Sequence, residues 1–258
     1  MIAALKSLLA HPLTRGLNID DPQTTALRLE ILRSKPFLRK IYEEWYGIIA
    51  AALPEGPGQV LELGAGAGFL RSMIPGVIGS EVFFCAHVDL VLDARRLPFR
   101  DGSLRAIVMT DVLHHVPDVE RFFGEARRCL RPRGRIIMIE PWVTAWSAFV
   151  YRHFHHEPFL PAAATWTIQE TGPLSGANGA LPWIVLARDR ARFAREFPEF
   201  RIESIRTLMP VSYLLSGGVS MRALVPGWTW GLVRRLEDWV DRKIGGAGMF
   251  AAIVLTRS

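Results

Sequence analysis

A run of alternating glycines follows an acidic residue at the end of a short apolar segment. Glu62 precedes Gly64, Gly66 and Gly68, and the segment around it reads Val-Leu-Glu-Leu. Glycines at a strand-to-helix turn let the backbone approach a ligand closely and tolerate positive φ. A dinucleotide fingerprint would need glycine at position 69, which is Phe69, and a P-loop would need Gly-Lys-Ser/Thr, which is absent. Hydride transfer and phosphate transfer are therefore disfavoured.

Two acidic residues stand at later turns of the chain. Glu81 closes one strand-like run, and Asp93 follows the next, with Ala94 after it. One carboxylate can accept hydrogen bonds from both hydroxyls of a ribose, and a second can accept one from an exocyclic amine. Taken singly, these acids could be ordinary loop residues and the glycines an ordinary tight turn, so both interpretations stay open for each residue alone.

Taken together, segments in a fixed order resemble class I S-adenosylmethionine-dependent methyltransferases, in particular the type 11 group. These segments are Glu62-x-Gly64-x-Gly66-x-Gly68, then Glu81, then Asp93-Ala94-x-x-Leu97-Pro98-Phe99, then Thr110-Asp111-Val112-Leu113-His114-His115-Val116, and Glu125-Ala126-x-Arg128-x-Leu130-x-Pro132-x-Gly134-Arg135. Arg133 departs from the family pattern, which has glycine there. The resemblance implies that the cofactor is S-adenosyl-L-methionine.

The resemblance also implies which residues bind that cofactor. Glu81 would take both ribose hydroxyls, Asp93 would approach the adenine amino group, and the segment at Asp111 would line the methionine end. A helix cap is the alternative role for Asp111. The complete predicted set is Glu62, Gly64, Ala65, Gly66, Gly68, Glu81, Asp93, Ala94, Thr110 and Asp111.

The acceptor side is predicted from histidines and aromatic residues. Methyl transfer needs a base only when the acceptor must lose a proton, and histidine has a suitable pKa. The catalytic candidates are His114, His115, His155 and His156, and the substrate candidates are Trp142, Tyr151, His153 and Glu157. Ordinary hydrogen-bonded histidines are the alternative. No metal is predicted, because the histidines after residue 152 and Glu157 fit no standard zinc spacing.

These residues predict an S-adenosylmethionine-dependent methyltransferase that acts on a small or lipid-like acceptor. Oxygen is the expected acceptor atom, ahead of carbon or nitrogen. Seven of the tryptophans fall in or beside two insertions, which favours a bulky apolar or aromatic acceptor. The alternative is an inactive methyltransferase-like module that serves as a binding partner or scaffold.

The elements that position these residues alternate between apolar runs and helices. Strand-like runs begin near residues 59, 77, 88, 104 and 134, and continuous Val- and Ile-rich runs of this kind are typical of a parallel sheet covered on both faces. The prediction is one α/β domain over 1–258, Rossmann-like and doubly wound, with a mostly parallel seven-stranded sheet. It has a helical N-terminal extension (1–57), a cofactor-binding core (59–142), and insertions at 143–190 and 209–248 that form a substrate cap.

Two spacings depart from the family pattern. Asp93 follows Glu81 by only 12 positions, which leaves no room for a helix between the second and third strands. Pro75 and Gly76 also stop the helix after the glycines. We therefore expect the N-terminal helices and the insertions to close the cofactor pocket.

The composition leaves two classes of charged partner to weigh. The chain has 258 residues, is 50% hydrophobic and carries a formal net charge of +6. No nucleic-acid-binding signature accompanies the arginines, so nucleic acid is not expected. A basic amphipathic segment around Trp228 to Ile244 favours peripheral contact with a membrane, although a helix packed on the protein is the alternative. The chain shows no signal peptide, so a cytoplasmic location is expected, with contact at the inner face of the membrane. The oligomeric state is left open.

Overall fold

Seven strands form one sheet. In the computed structural model, which describes residues 11–14, 20–66, 69–154, 157–172, 175–243 and 245–258, they are β1 (Gln59–Leu63), β2 (Ile78–Glu81), β3 (Leu90–Val91), β4 (Leu104–Thr110), β5 (Leu130–Pro141), β6 (Phe200–Leu208) and β7 (Phe250–Arg257). Their order is β3-β2-β1-β4-β5-β7-β6. Strand β7 is antiparallel to β5 and β6, and the remaining pairs are parallel. The predicted mostly parallel, seven-stranded sheet is confirmed.

Strands β4 and β5 form the apolar centre of the sheet. Ala106, Ile107, Val108 and Met109 of β4 are completely buried, and so are the four residues 136–139 of β5. A strand that is covered on both faces reads as a continuous apolar run instead of alternating with polar residues. This burial explains the Val- and Ile-rich runs in the sequence.

The helices pack on both faces of this sheet. They are α1 (Pro22–Ser34), α2 (Pro36–Ala52), α3 (Val119–Cys129), α4 (Ala145–Phe154), α5 (Arg190–Glu196), α6 (Ser212–Ser216) and α7 (Trp230–Lys243). Shorter helical turns are Pro12–Thr14, Leu70–Ser72, Leu113–His115, Leu181–Trp183, Ile184–Arg188 and Gly227–Thr229. Helix α3 illustrates the local logic, because Asp118 caps its first turn by accepting a hydrogen bond from the Arg121 N–H at 3.0 Å. Among the described residues, no helix combines the length and the apolar character needed to span a bilayer.

The carboxyl ends of strands β1 to β5 define the edge where ligands are expected. Strand β1 lies between β2 and β4, so the strand order reverses there, and ligands of open α/β sheets bind outside the carboxyl ends at such a point. Residues 82–89 connect β2 to β3 without a helix, and only the turn Leu70–Ser72 follows the glycines. Both shortenings predicted from the spacing are confirmed.

Helix α2 packs beside the glycine loop and under the second insertion. The ring of Tyr46 contacts that of Phe69, the residue after the glycines, at a centroid distance of 4.6 Å. The ring of Trp45 stacks on Tyr213 of α6 at 5.7 Å and lies 4.8 Å from Phe250 of β7. The described part of the predicted helical extension therefore packs between the glycine loop and the second insertion. Residues 1–10 and 15–19 of the extension lie outside the described residues.

The first insertion folds back over the end of β4. The N–H of Asn178 donates to the carbonyl of His114 at 2.9 Å, and the N–H of Ile168 donates to the carbonyl of Pro117 at 3.1 Å. Backbone hydrogen bonds of this kind fix the position of a loop without requiring particular side chains. Ile168 and Asn178 thus hold the insertion against the segment that carries the two adjacent histidines.

Candidate functional site

The glycine loop needs glycine at position 64 for two separate reasons. Gly64 has φ +63°, and a Cβ there would lie 2.4 Å from Cγ2 of Val112. The positive φ is a backbone conformation that costs other residues about 1–2 kcal/mol, and the short Cβ distance is a steric overlap with Val112. Gly66 also has positive φ, at +48°. The N–H of Ala65 donates to the carbonyl of Ser80 at 2.9 Å, which joins the loop to β2. The predicted Gly68 lies outside the described residues.

Glu81 ends β2 and faces this loop. Its Oε1 accepts a hydrogen bond from the Gly66 N–H at 2.8 Å, and its Oε2 accepts one from the Val82 N–H at 3.1 Å. Burial raises the pKa of Glu81, and these two backbone hydrogen bonds oppose that rise. Inside β1, burial and the neighbouring Glu81 carboxylate raise the pKa of Glu62 to about 8. Two buried acids therefore lie next to each other at the ends of adjacent strands.

Asp93 follows β3, two strands away from the glycine loop. The side-chain hydrogen bonds of Arg95 hold the pKa of Asp93 below its usual value. Arg95 donates to this carboxylate from its backbone N–H at 2.8 Å and from Nη2 at 2.7 Å. Arg95 also pairs with Glu170 of the first insertion. Asp93 and Ala94 thus lie at the expected strand end, and an ion pair connects them to the insertion.

The chain leaves β4 through a strained residue. Thr110 ends the strand, and Asp111 has φ +63° while its N–H still donates to the carbonyl of Ile139 at 2.8 Å. A non-glycine residue in this conformation is uncommon and is a reason to look for a function. Burial, with the nearby carboxylates of Glu157 and Glu140, raises the pKa of Asp111 to about 7, although His114 opposes the shift.

Glu140 organises the turn that follows Asp111. Its completely buried carboxylate accepts hydrogen bonds from the N–H groups of Val112 at 2.9 Å and Leu113 at 2.7 Å, both through Oε1. Its Oε2 lies 2.9 Å from Nδ1 of His114. Oε1 thus serves the two N–H groups of the turn, and Oε2 is the oxygen that pairs with the His114 ring. Burial alone would lower the pKa of His114, but the carboxylates around the ring hold it well above its usual value.

His114 and His115 are both inside the protein. Their rings lie 4.1 Å apart, and Nδ1 of His115 is 3.2 Å from the carbonyl oxygen of Gly176. Burial and the charge of His114 lower the pKa of His115 to about 3. Glu157 faces both rings: its Oε2 is 3.5 Å from Nε2 of His114, and its Oε1 is 3.9 Å from Nε2 of His115. The two histidines therefore differ in charge although they are adjacent in the chain.

A narrow cavity opens beside these groups. Two carboxylates, Asp111 and Glu157, border it, and the rest of the wall is mostly aromatic. Tyr151 stacks on Phe159 at 4.6 Å on one side, and on another side Tyr213 meets Phe250 at 4.7 Å. The aromatic members of the wall are Tyr151, Phe159, Tyr213 and Phe250. The volume of the cavity is about 10 Å³, room for about one water molecule, so the aromatic walls must separate before an organic molecule can enter.

The predicted substrate residues separate into two pairs. Tyr151 and Glu157 line the cavity. Trp142 is packed in the core, where its N–H donates to the carbonyl of Met249 at 2.9 Å, and His153 is exposed on α4, where Nδ1 lies 2.7 Å from the carbonyl oxygen of Phe149. The structure does not bring Trp142 or His153 to this cavity. The predicted catalytic residues His155 and His156 lie outside the described residues.

Three residues of this region are missing from the predicted set. Glu140 had a usable signal, because it is an acid at the end of an otherwise apolar strand. Tyr213 had no such signal in the sequence, since it reaches the cavity from an insertion about 100 positions after Asp111. Arg28 of α1 also acts here, because its charge opposes the rise in pKa that burial causes at both Glu81 and Asp111. Helix α1 thus places a positive charge near both carboxyl groups.

Known proteins are similar in sequence to the core of this chain. A family model described as "Methyltransferase domain" matches residues 61–138. A demethylmenaquinone methyltransferase of Thermus thermophilus is 31% identical over 138 residues, in an alignment that covers 42% of this chain and 60% of that protein. An uncharacterised 37.1 kDa transposon protein of Streptomyces fradiae is 47% identical over 117 residues and covers 36% of this chain and 33% of that protein. The chain spans less than two thirds of the curated relatives it matches.

Solved structures share its fold. A geranyl diphosphate C-methyltransferase from Streptomyces coelicolor, in complex with Mg²⁺, geranyl diphosphate and S-adenosyl-L-homocysteine, has a TM-score of 0.51 at 15% identity, with 97% of this chain and 91% of that chain covered. An S-adenosylmethionine-dependent methyltransferase from Thermotoga maritima has a TM-score of 0.50 at 18% identity, with 89% and 99% covered. At these identities the likeness shows the fold alone.

Proposed function

Because the core of this chain is a class I S-adenosylmethionine-dependent methyltransferase domain, we propose that the protein binds S-adenosylmethionine along the ends of β1 to β4 and methylates a small acceptor. The observation that carries the proposal is the order of groups at that edge. Positive-φ glycines follow β1, a buried glutamate ends β2 and an aspartate follows β3. This order matches the order of the methionine, ribose and adenine parts of the cofactor.

Each part of the cofactor has a proposed partner. The loop at Gly64 and Gly66 is open to close approach by the methionine part, and the buried Glu62 beneath it attracts the ammonium group. Glu81 holds the ribose: a carboxylate offers about four lone-pair sites, and two of these accept the N–H groups of Gly66 and Val82, which leaves two for the ribose hydroxyls. Asp93 and Ala94 face the adenine. We assign the predicted Ala65, Gly68, Thr110 and Asp111 to the methionine end on the family pattern.

The reaction itself requires little beyond positioning. A nucleophilic atom of the acceptor attacks the methyl carbon of the sulfonium, the new bond forms as the carbon–sulfur bond breaks, and the electrons of that bond stay on sulfur to give S-adenosylhomocysteine. Holding the two reactants in line supplies most of the acceleration. When the acceptor is a hydroxyl, its proton must go to a base. The carboxylates of Asp111 and Glu157 border the cavity and are placed to receive it.

The acceptor is proposed to be a small molecule with an aromatic or apolar body. The aromatic wall of the cavity supports this assignment, and the two carboxylates support a hydroxyl as the reacting group. Carbon is the second candidate atom, because the curated relatives include a ubiquinone/menaquinone biosynthesis C-methyltransferase of Desulfotalea psychrophila. We further propose that residues 143–190 and 209–248 form the substrate cap, since Glu157 and Tyr213 reach the cavity from these two segments.

Methyl transfer can be tested directly. The protein is incubated with methyl-labelled S-adenosylmethionine and, in turn, with catechols, reduced quinones and prenyl diphosphates. We expect label in one extractable product, and loss of that label in Glu81→Gln. The matched control is Glu43→Gln, which changes an exposed glutamate paired with Arg39. A protein that binds the cofactor but labels none of these classes would support the non-catalytic module instead.

The outer face of α7 supports a second proposal, peripheral contact with an anionic membrane. Large apolar side chains recur on this face and on the turn before it: Trp228 of the turn is 82% exposed and Leu232 of the helix 70%, and Leu236 and Trp239 are also exposed. Its basic neighbours, which are exposed as well, are Arg235, Arg242 and Lys243. Burying one large apolar side chain contributes about 1.5–3 kcal/mol, and the cations add attraction to acidic lipid.

The inner face of α7 supports this proposal, because polar groups, together with the ring of Trp230 on Phe37 at 5.2 Å, attach the helix to the protein. Glu237 is completely buried and accepts hydrogen bonds from the N–H groups of Val211 at 2.8 Å and Ser212 at 2.6 Å. Arg234 pairs with Glu44 of α2 at 2.8 Å. The apolar stripe of α7 is therefore left on the outside, whereas an ordinary surface helix buries its apolar stripe.

Vesicle flotation tests this contact. We expect the protein to float with vesicles of phosphatidylglycerol and phosphatidylcholine but not with pure phosphatidylcholine, and the double variant Trp228→Ser/Trp239→Ser to stay in the bottom fraction. The control is Phe84→Ser, which removes a different ring that is 76% exposed. Flotation that is absent, or that is equal in Trp228→Ser/Trp239→Ser and the parent protein, would contradict the proposal.

A further inference from the structure

We propose that His114, His115 and Glu157 form a binding site for a divalent transition-metal ion, with Zn²⁺ as the best-matched ion, beside the acceptor cavity that Glu157 lines. One potential ligand atom from each of these side chains can be chosen so that all three lie within 4.8 Å of one another. The site goes beyond the proposed methyl transfer, which requires no metal. It stands on geometry, hydrogen bonding and ligand chemistry.

The distances match a coordination sphere after a contraction. Ligands at about 2.0–2.1 Å from a tetrahedral ion are about 3.4 Å from each other. Nε2 of His114 is 3.5 Å from Oε2 of Glu157, and Nε2 of His115 is 3.9 Å from Oε1 of the same carboxylate. All three ligand atoms lie within 4.8 Å of one another, so contractions of up to about 1.4 Å would bring them onto one ion.

Both imidazoles present the correct nitrogen. Nδ1 of His114 donates to the carboxylate of Glu140 at 2.9 Å, and Nδ1 of His115 lies 3.2 Å from the carbonyl oxygen of Gly176. A bound cation would displace the proton that the raised pKa keeps on Nε2 of His114, and histidines that bind metals are usually held by such a second partner at Nδ1. The carboxylate–histidine pair at Glu140 is the arrangement that orients zinc-binding histidines in other proteins.

One of these nitrogens is an unsatisfied buried group. Nε2 of His114 is completely buried and makes no hydrogen bond among the described residues, since 3.5 Å to Glu157 is a charge contact and a poor hydrogen bond. A buried polar atom without a partner is costly and calls for a specific explanation. Coordination of a cation would satisfy this atom, and the carboxylates of Asp111, Glu140 and Glu157 around it would balance the charge.

The set also has the composition of a reactive site. Two imidazoles and one carboxylate are the protein ligands of several catalytic zinc sites, which keep further positions open for water or substrate. Oδ1 of Asp111 lies 3.9 Å from Nε2 of His114, and both Asp111 and Glu157 border the cavity. Glu157 thus connects the ligand set to the cavity. A water molecule is the ligand that would occupy an open position.

The fold holds this set together across a long stretch of chain. The N–H of Asn178 donates to the carbonyl of His114, and the N–H of Gly179 donates to the carbonyl of Pro158, the residue after Glu157, each at 2.9 Å. These backbone hydrogen bonds fix the first insertion against the turn that carries the two histidines. The ligand set is thus built into the packing of the insertion and does not depend on a flexible side chain.

Metal titration tests the site on the intact chain. Protein dialysed against a chelator is titrated with Zn²⁺ by calorimetry and with Co²⁺ by visible absorption, which reports nitrogen and oxygen coordination. We expect one ion per chain for the parent protein, and at least a tenfold loss of affinity in His115→Ala and in Glu157→Gln. The matched control is His153→Ala, because His153 is exposed on α4 and lies outside the set; its affinity should stay within twofold.

The outcomes separate this site from the proposed methyl transfer. Circular dichroism and S-adenosylhomocysteine binding, measured on each variant, report whether it is folded with its cofactor edge intact. Retained cofactor binding together with lost metal binding in His115→Ala and Glu157→Gln would support the site. No stoichiometric Zn²⁺ or Co²⁺ in the parent protein, or an equal loss in His153→Ala, would overturn it even if cofactor binding were normal.

Discussion

The two halves of the ligand-binding edge are built in different ways. On the cofactor side, the groups come from one stretch of chain between Glu62 and Ala94, and they are positioned by backbone conformation and strand ends. On the acceptor side, His114, Glu140 and Glu157 come from separate segments, and hydrogen bonds to the buried Glu140 carboxylate hold the turn that carries His114. The cofactor side should therefore be sensitive to backbone changes, and the acceptor side to the loss of single buried side chains.

The two halves meet at Val112. This residue follows Asp111, its N–H donates to Glu140 at 2.9 Å, and its side chain fills the space next to Gly64. The contact between the Val112 side chain and Gly64 couples the two halves sterically, although the two halves bind different ligands. Substitutions on either side of Val112 can show whether the halves also act independently in binding, which is what their separate construction predicts.

The largest effect is expected from Gly64→Ala. The new Cβ would lie 2.4 Å from Cγ2 of Val112 in a backbone conformation with φ +63°, so the loop or β4 must shift. We expect the affinity for S-adenosylhomocysteine to fall by about 100-fold, or about 2.7 kcal/mol, as measured by calorimetry. Overpacking should also lower the free energy of unfolding by about 1–3 kcal/mol, measured by denaturant titration.

Gly76→Ala is the matched control for that substitution. Gly76 has φ +79° but no heavy atom within 4 Å of the new Cβ, so it carries the conformational cost without the overlap. We expect cofactor affinity within about twofold of the parent and a stability loss of about 1–2 kcal/mol. Equal losses of affinity in Gly64→Ala and Gly76→Ala would show that contact with Val112 is not what makes the loop sensitive.

The next effect is expected from Glu140→Gln, which acts on the acceptor side. The amide cannot accept from Val112, Leu113 and His114 as the carboxylate does, so Nδ1 of His114 loses its acceptor. We expect Zn²⁺ affinity to fall by about 10–100-fold, the usual cost of losing such a supporting group. Affinity for S-adenosylhomocysteine should change by less than threefold, because the cofactor side is built separately.

Glu237→Gln separates this effect from general destabilisation. Glu237 is the other completely buried glutamate with several hydrogen bonds to it, but it holds α6 and α7 instead of the histidine turn. We expect a comparable loss of stability, about 1–3 kcal/mol, and unchanged Zn²⁺ affinity. If both variants lost the metal equally, the role given to Glu140 would be wrong.

A smaller effect concerns the pH dependence of the cofactor side. Burial and Glu81 raise the pKa of Glu62 to about 8, and the ammonium group of a bound cofactor would favour the ionised carboxylate. Binding should then release a proton, so affinity for S-adenosylhomocysteine rises with pH between about 6 and about 7.5, by at most about tenfold per unit. The α-amino group of the ligand stays largely protonated in this window. Calorimetry in buffers of different ionisation heat measures the released proton.

Glu62→Gln should remove that dependence. The amide has no charge to gain, so affinity should be flat over the same pH window and no proton should be released. A rise with pH that persists in Glu62→Gln would assign the titration to another group. A fall in affinity as the pH rises would contradict the sign expected for a raised carboxyl pKa.

The smallest effect is expected from Arg95→Met. This substitution removes the partly exposed ion pairs of Arg95 with Asp93 and Glu170. Exposed pairs contribute at most about 1 kcal/mol, so we expect less than a fivefold change in cofactor affinity and a stability change below 1 kcal/mol. A larger loss would mean that the insertion carrying Glu170 contributes directly to the cofactor side, which would weaken the distinction between the two halves.

The strands and turns of the proposed cofactor side could be predicted from the sequence because their signals are local, whereas the contacts with the cofactor stay predictions. Glycine spacing, strand-end acids and apolar runs are all visible within a few residues, and the strand order agrees with them. One strand boundary differs: β5 begins at Leu130 instead of Gly134, because Leu130 already pairs with Leu104 of β4. Arg133, which stands in a family glycine position, adopts φ +61° and so supplies the turn without glycine.

The acceptor side could not be read in the same way. The segment from Tyr151 to Glu157 looks like one cluster in the sequence, but α4 turns by about 100° per residue, so His153 is about 200° from Tyr151 around the helix. Tyr151 therefore faces the cavity while His153 faces solvent. The approach of Glu157 to His114 depends on how the first insertion folds back, and no local pattern encodes that contact.

Titration of the purified protein with S-adenosylhomocysteine, beside Glu81→Gln, tests the central claim most directly. We expect one saturable site per chain in the parent protein, and at least a tenfold weaker site in a Glu81→Gln protein whose circular dichroism is unchanged. Absence of saturable binding to the parent protein, or unchanged affinity in Glu81→Gln, would contradict the assignment of the cofactor to the ends of β1 to β4.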